Sequence, residues 1–130
     1  MKFKVSIVLC GIFFIVGVVN ANECAKESAS EAPKCAVEEF RALDAKLNKD
    51  YNNYRLRLDE FKKLKFRDVQ LAWIKYRDLA CGFESSQVEG GSAFQMIRSQ
   101  CLSKLTRQRI DELEYLLNCE EGDLSCPAPR

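Results

Sequence analysis

The sequence predicts an all-α fold, a helical hairpin and a third helix forming a three-helix bundle stapled by disulfides. Three observations carry this. Apolar residues recur in steps of three and four, and Gly82 is the only Gly or Pro between Lys34 and Phe83. A Ser- and Gly-rich break at residues 85–91 separates that region from another apolar-periodic stretch. Six cysteines lie outside the first 21 residues of a short chain, which suits a disulfide framework.

The first 21 residues read as a targeting segment. Lys2 and Lys4 form a positive start, Val5 to Val19 an apolar run, and Val19-Asn20-Ala21 a small-residue cleavage site. The run is short for a membrane span, which needs about 20 apolar residues. Bulky Leu9 before Cys10 argues against lipid attachment there. The expectation is a leader at 1–21, one helical domain at 22–130, and no stable membrane anchor after cleavage. Removing 21 of 130 residues leaves 109, room for one modest core.

In the first helix Ala36, Phe40, Leu43, Leu47, Tyr51, Tyr54, Leu58 and Phe61 form one stripe. Ser30 is the expected N-cap, with Pro33 in the first turn. A chain this small must fold back to bury its stripes, so a turn is placed at Leu58 to Glu60, with Asp59 capping the second helix. That helix runs to about Glu84 and carries Val69, Trp73, Tyr76, Ala80 and Phe83 on one expected core face. Ser92 and Gln95 fit a capping box for the third helix. Phe94, Ile97, Cys101, Leu102, Leu105, Ile110, Leu113, Leu116 and Leu117 follow, and the helix ends near Asn118.

The six cysteines allow many connectivities. The expected pairs are Cys24–Cys35, Cys81–Cys101 and Cys119–Cys126, because sequence neighbours fall on adjoining ends of these elements. A zinc site is disfavoured by the absence of histidine and of any Cys-x-x-Cys pair. Cys81–Cys101 would pin the loop Glu84 to Gly91 as a presented surface feature, with Glu84, Glu89, Gly90 and Gly91 as candidate partner contacts. Cys119–Cys126 would hold Glu120, Glu121 and Asp123 on an exposed ring able to face a basic partner.

The composition excludes several functions. Losing Lys2 and Lys4 takes 20 cations to 18 against 19 acids, so no basic field points to nucleic acid. Without histidine, Ser-His and Cys-His nucleophiles are excluded. Glu38, Glu39, Asp44 and Glu112 fall at expected solvent-facing helical positions. Gly90-Gly91 follows no strand and reads as a turn. No enzyme activity and no cofactor are expected. Trp73 and Tyr76 read as core, and Arg77 and Asp78 as a structural ion-pair unit in which Arg77 reaches Asp44 or Asn48.

The ordered motifs resemble the LprI-type lysozyme inhibitor family of bacterial envelope proteins. They are Cys24 and Cys35, then Asp44, Leu47, Asn48 and Tyr51, then Gln70, Trp73, Tyr76, Arg77, Asp78 and Cys81. Gly90-Gly91, Cys101, Thr106, Arg109, Glu112 and Leu113 complete the set. The resemblance implies a disulfide-bonded helical envelope domain and, in at least one branch, inhibition of lysozyme. Cys119 and Cys126 are additions to the pattern. The leading expectation is a periplasmic or secreted protein that blocks a lysozyme-like muramidase. The alternative is an envelope adaptor or immunity-type protein that binds another bacterial protein.

Overall fold

The computed structural model describes Cys24 and residues 27–128; the leader assigned to 1–21 lies outside the described residues. Three long helices run in order: α1 Ala32–Arg55, α2 Glu60–Glu84 and α3 Phe94–Leu117. A single 3-10 turn, Ser86–Val88, sits between α2 and α3. No strand occurs among the described residues.

Local chemistry sets each boundary. The α1 start differs from expectation: Glu31, not Ser30, is the cap residue, and it makes no side-chain cap bond. The Ser28 carbonyl accepts the N–H groups of Glu31 and Ala32 at 2.9 and 3.0 Å, and Pro33 needs no donor in the first turn. The chain reverses over residues 56–59. Asp59 then caps α2 as expected, its carboxylate accepting the Lys62 N–H at 2.8 Å. For α3 the capping box fails, because the helix starts one residue late behind Ala93 and has no side-chain cap. The Gly91 carbonyl takes the Phe94 N–H at 3.2 Å and continues the turn into the helix. Asn118 closes α3 as predicted.

α1 and α3 make the most extensive packing, and α2 lies chiefly against α3. The cause is side-chain size. α3 buries Ser99, Ser103, Thr106, Ile110 and Leu113, a stripe whose first half is small enough to let α1 come close beside Ala36. Large groups fill the space between α1 and α2. Tyr51 stacks on Phe66 at 4.8 Å and Tyr54 meets the same ring edge-on at 5.1 Å.

Two apolar clusters result. One joins Leu47, Tyr54, Leu58, Phe66, Ile110, Leu113 and Ala128; the other joins Cys81, Cys101 and Leu102 with Phe40 and Leu105. All three expected disulfides form, with Cα–Cα distances of 5.5, 5.5 and 5.8 Å for Cys24–Cys35, Cys81–Cys101 and Cys119–Cys126.

Two core assignments need correction. Phe61 does not extend the α1 stripe; the turn at 56–59 resets the helical phase and leaves its ring exposed. On α2 the buried residues are Phe66, Gln70, Arg77 and Cys81, while Val69, Tyr76 and Phe83 are exposed. Trp73 and Ala80 fall at the margin, half-buried. The helix is therefore rotated by roughly a quarter-turn from the expected face. Cys81 sets that rotation, because its bond to Cys101 must face α3.

Candidate functional site

The residues of the sequence motifs converge in a polar layer between the two apolar clusters. Arg77 donates from α2 to Asp44 of α1 at 2.9 Å and to neighbouring Asp78 at 3.0 Å. Asn48 does not reach Arg77; it donates to Asp44 at 3.2 Å. Arg109 of α3 donates to the Gln70 side-chain oxygen at 3.1 Å and to Glu112 at 2.6 Å. Both guanidinium groups lie against Trp73, with their central carbons 5.2 and 5.9 Å from the ring centroid. Phe40 of α1 flanks Arg77 at 5.3 Å.

Burial decides what this layer can do. Arg77 and Arg109 are each 8% exposed, and the Nε and one Nη of each donate to protein acceptors. An Arg–aromatic layer buried in this way fixes helix register and offers little surface to a partner. Glu39 corrects the expectation of a solvent-facing acid: it is buried and pairs with Arg107 across α1 and α3. Lys46 adds a second α1–α3 link, contacting Asp50 and Glu114 at 2.6 Å each.

The candidate contact residues lie at the two ends of the bundle. At the end of α2, Ser85 is fully buried and its hydroxyl donates to the Cys81 carbonyl at 2.7 Å. Glu84 is held 3.4 Å from Lys104. Glu89, Gly90 and Gly91 are exposed, and Gly90 adopts φ 78°, a left-handed conformation that glycine takes without strain. The loop is thus anchored on both flanks with its tip presented.

Beyond α3, Glu120, Glu121 and Asp123 are exposed within the Cys119–Cys126 ring. Asp123 accepts from the Ser125 hydroxyl at 2.7 Å, from its N–H at 2.8 Å, and from the Tyr115 hydroxyl at 3.3 Å. The Ser125 bonds hold the Asp123 carboxyl below its ordinary range, with Tyr115 adding to the effect. Lys62 ties this tail to α2 through the Pro127 carbonyl at 2.9 Å.

α3 separates the two sets. Its 24 residues span about 36 Å at 1.5 Å per residue, so the structure does not bring loop and tail acids together. Sequence reasoning missed the Gln70–Arg109 bond and the Ser99–Ser103–Thr106 seam. Polar residues spaced with Trp73, and small residues at steps of four and three, were the available signals.

The family model described as "Lysozyme inhibitor LprI" matches residues 21–113. An uncharacterized protein of Rhizobium meliloti (strain 1021) is 35% identical over 106 residues, covering 68% of this chain and 73% of the relative. No solved structure matches. The matched span includes the polar layer and the loop at 84–91, but not the Cys119–Cys126 ring. With most of its length matched, the chain belongs to the LprI lysozyme inhibitor family.

Proposed function

We propose that this protein acts outside the cytoplasm by binding and blocking a lysozyme-like muramidase, with the loop Glu84 to Gly91 as the inserting element. The family match over residues 21–113 carries the reading. Two features of the molecule support the choice of loop. It lies inside the matched span, and its flanks are anchored by Cys81–Cys101, the Ser85 hydroxyl and the Glu84–Lys104 pair. A loop ordered before binding gives up little entropy on docking.

A glycosidase cleft holds paired carboxylates. The Gly90 backbone N–H and the side chains of Ser86 and Gln87 would supply donors for them, the Gly91 N–H being held by the Val88 carbonyl at 3.0 Å. Glu89 would meet the basic surface around such a cleft. Glu120, Glu121 and Asp123, at the other end of the bundle, act as a separate electrostatic element that speeds encounter with a basic enzyme. Three disulfides and the lack of any described helix long and apolar enough to cross a membrane fit a periplasmic or secreted protein.

The test is lysis of a bacterial cell-wall suspension by a c-type lysozyme with oxidised protein titrated in. Stoichiometric inhibition that is weakened by Gly90→Val or Glu89→Arg supports the loop. Inhibition untouched by both variants removes the loop from the mechanism. Absence of inhibition across several lysozyme types refutes the reading.

A further inference from the structure

We propose that the outward face of α2 is a self-association surface, on which two copies dock antiparallel about a two-fold axis between Leu71 and Ala72. α2 turns Phe66, Gln70, Arg77 and Cys81 inward. At 100° per residue, Phe61, Leu64, Ala72, Tyr76, Leu79 and Phe83 fall on the opposite side. Leu79 is 65% and Phe83 81% exposed, and Phe61, Leu64 and Tyr76 are each more than half exposed. The stripe runs about 33 Å along the helix, where a solvated helix carries polar residues.

The charges within the stripe select the occupant and its direction. Asp68 and Lys75 lie on the same flank of the exposed face. Among the described residues Lys75 has no ion-pair partner, and Asp68 meets only its neighbour Arg67, at 3.0 Å, with both side chains more than half exposed. A parallel pairing sets each residue against itself, so Asp68 meets the partner's Asp68 and Lys75 the partner's Lys75. The antiparallel register about Leu71 and Ala72 reverses this, placing Lys75 level with the partner's Asp68 twice over. The same register sets Leu79 beside the partner's Leu64 and Leu71 beside the partner's Ala72. Phe61 falls level with the partner's Gly82, where a Cβ would have met nothing within 4 Å of its own chain. One sequence thus supplies both halves of an isologous contact, as a two-fold dimer requires.

Sedimentation velocity on the oxidised protein across a concentration series tests this. The expected result is a reversible dimer that Leu79→Asp converts to monomer while far-UV circular dichroism stays unchanged. Asp68→Lys and Lys75→Asp should each weaken dimerisation by about tenfold, since each sets like charges together twice. The double variant Asp68→Lys/Lys75→Asp restores the pairs and should return affinity to near the wild-type value. A protein monomeric at every concentration overturns the proposal, as does a dimer indifferent to Leu79→Asp or a double variant no better than the singles. A monomer whose lysozyme inhibition is lost in Leu79→Asp would instead assign this face to the enzyme.

Discussion

Arg77 and Trp73 share one turn of α2, with the guanidinium carbon 5.2 Å from the indole centroid while the same group donates to Asp44 of α1 at 2.9 Å. The ring covers the guanidinium while its Nη1 donates to Asp44. Arg77→Ala removes the stack and the interhelical bond together. Removing one partner of a buried pair costs about 3 kcal/mol, here toward the low end because Asp44 keeps some access to water. Arg77→Lys should recover less than half, as an ammonium cannot stack flat and serve Asp44 and Asp78 at once. Urea unfolding of the oxidised protein, followed by Trp73 fluorescence, measures both. A lysine variant as stable as wild type would show that charge alone suffices.

The disulfides differ in what they hold. Cys81–Cys101 closes a separation of 20 residues between α2 and α3, and its removal should cost about 3 kcal/mol in the chain-entropy model. Cys119–Cys126 spans 7 residues beyond the last helix, so its loss should cost less and leave helical content intact. Paired Cys→Ser variants compared by thermal unfolding give the order. The reverse ranking would mean that the tail's cover over Tyr54 and Leu58 dominates.

Much of this fold was legible because helix periodicity, turn chemistry and cysteine spacing are local signals. Asp59 announced the α1–α2 turn, and the cysteine pairs followed from the order of the elements. The rotation of α2 was not legible. Val69, Tyr76 and Phe83 form as good an apolar stripe as any, whereas the buried face contains Gln70 and Arg77. Those two are stable inside only because Arg109, Asp44 and the Trp73 ring satisfy them, and these partners are fixed by tertiary packing. An α1 partner for Arg77, Asp44 or Asn48, was legible from its place beside the expected stripe, and the structure selects Asp44. The separation of the loop from the tail acids was already implied by the expected third helix, which lies between them.

Acid should weaken the α2 N-terminus. The Lys62 backbone N–H, with help from the Lys62 cation, holds the Asp59 carboxyl below its ordinary range; the Lys63 side chain does the same for Glu60. A carboxyl lowered on folding contributes its full stabilisation above the unfolded value. That contribution is lost as pH falls through the folded value. Asp59→Asn keeps an acceptor for the cap but cannot titrate. Its melting temperature should therefore drop less than that of wild type between about pH 5 and pH 2, and the two curves should converge in acid. Parallel curves would mean that the Asp59 charge contributes nothing to the cap.

Thr106 lies at the centre of the α1–α3 seam with 0% exposure, and among the described residues its hydroxyl has no hydrogen-bond partner. Its methyl and Cβ fill space that the close approach of α1 leaves, which is why a residue of this shape fits. The hydroxyl carries only the cost of leaving water. Thr106→Val keeps the branched shape and removes that cost, so stability should rise by about 1 kcal/mol. Thr106→Ala removes the polar group as well but leaves a void, so it should be no more stable than wild type. Thr106→Leu overfills the seam and should lose about 1–3 kcal/mol as the helices are forced apart. Urea unfolding of the three variants gives the order valine, wild type, leucine if packing and desolvation act as described. A destabilised valine variant would show that the hydroxyl bonds within the seam, and that α1 and α3 are held there by polarity as well as by shape.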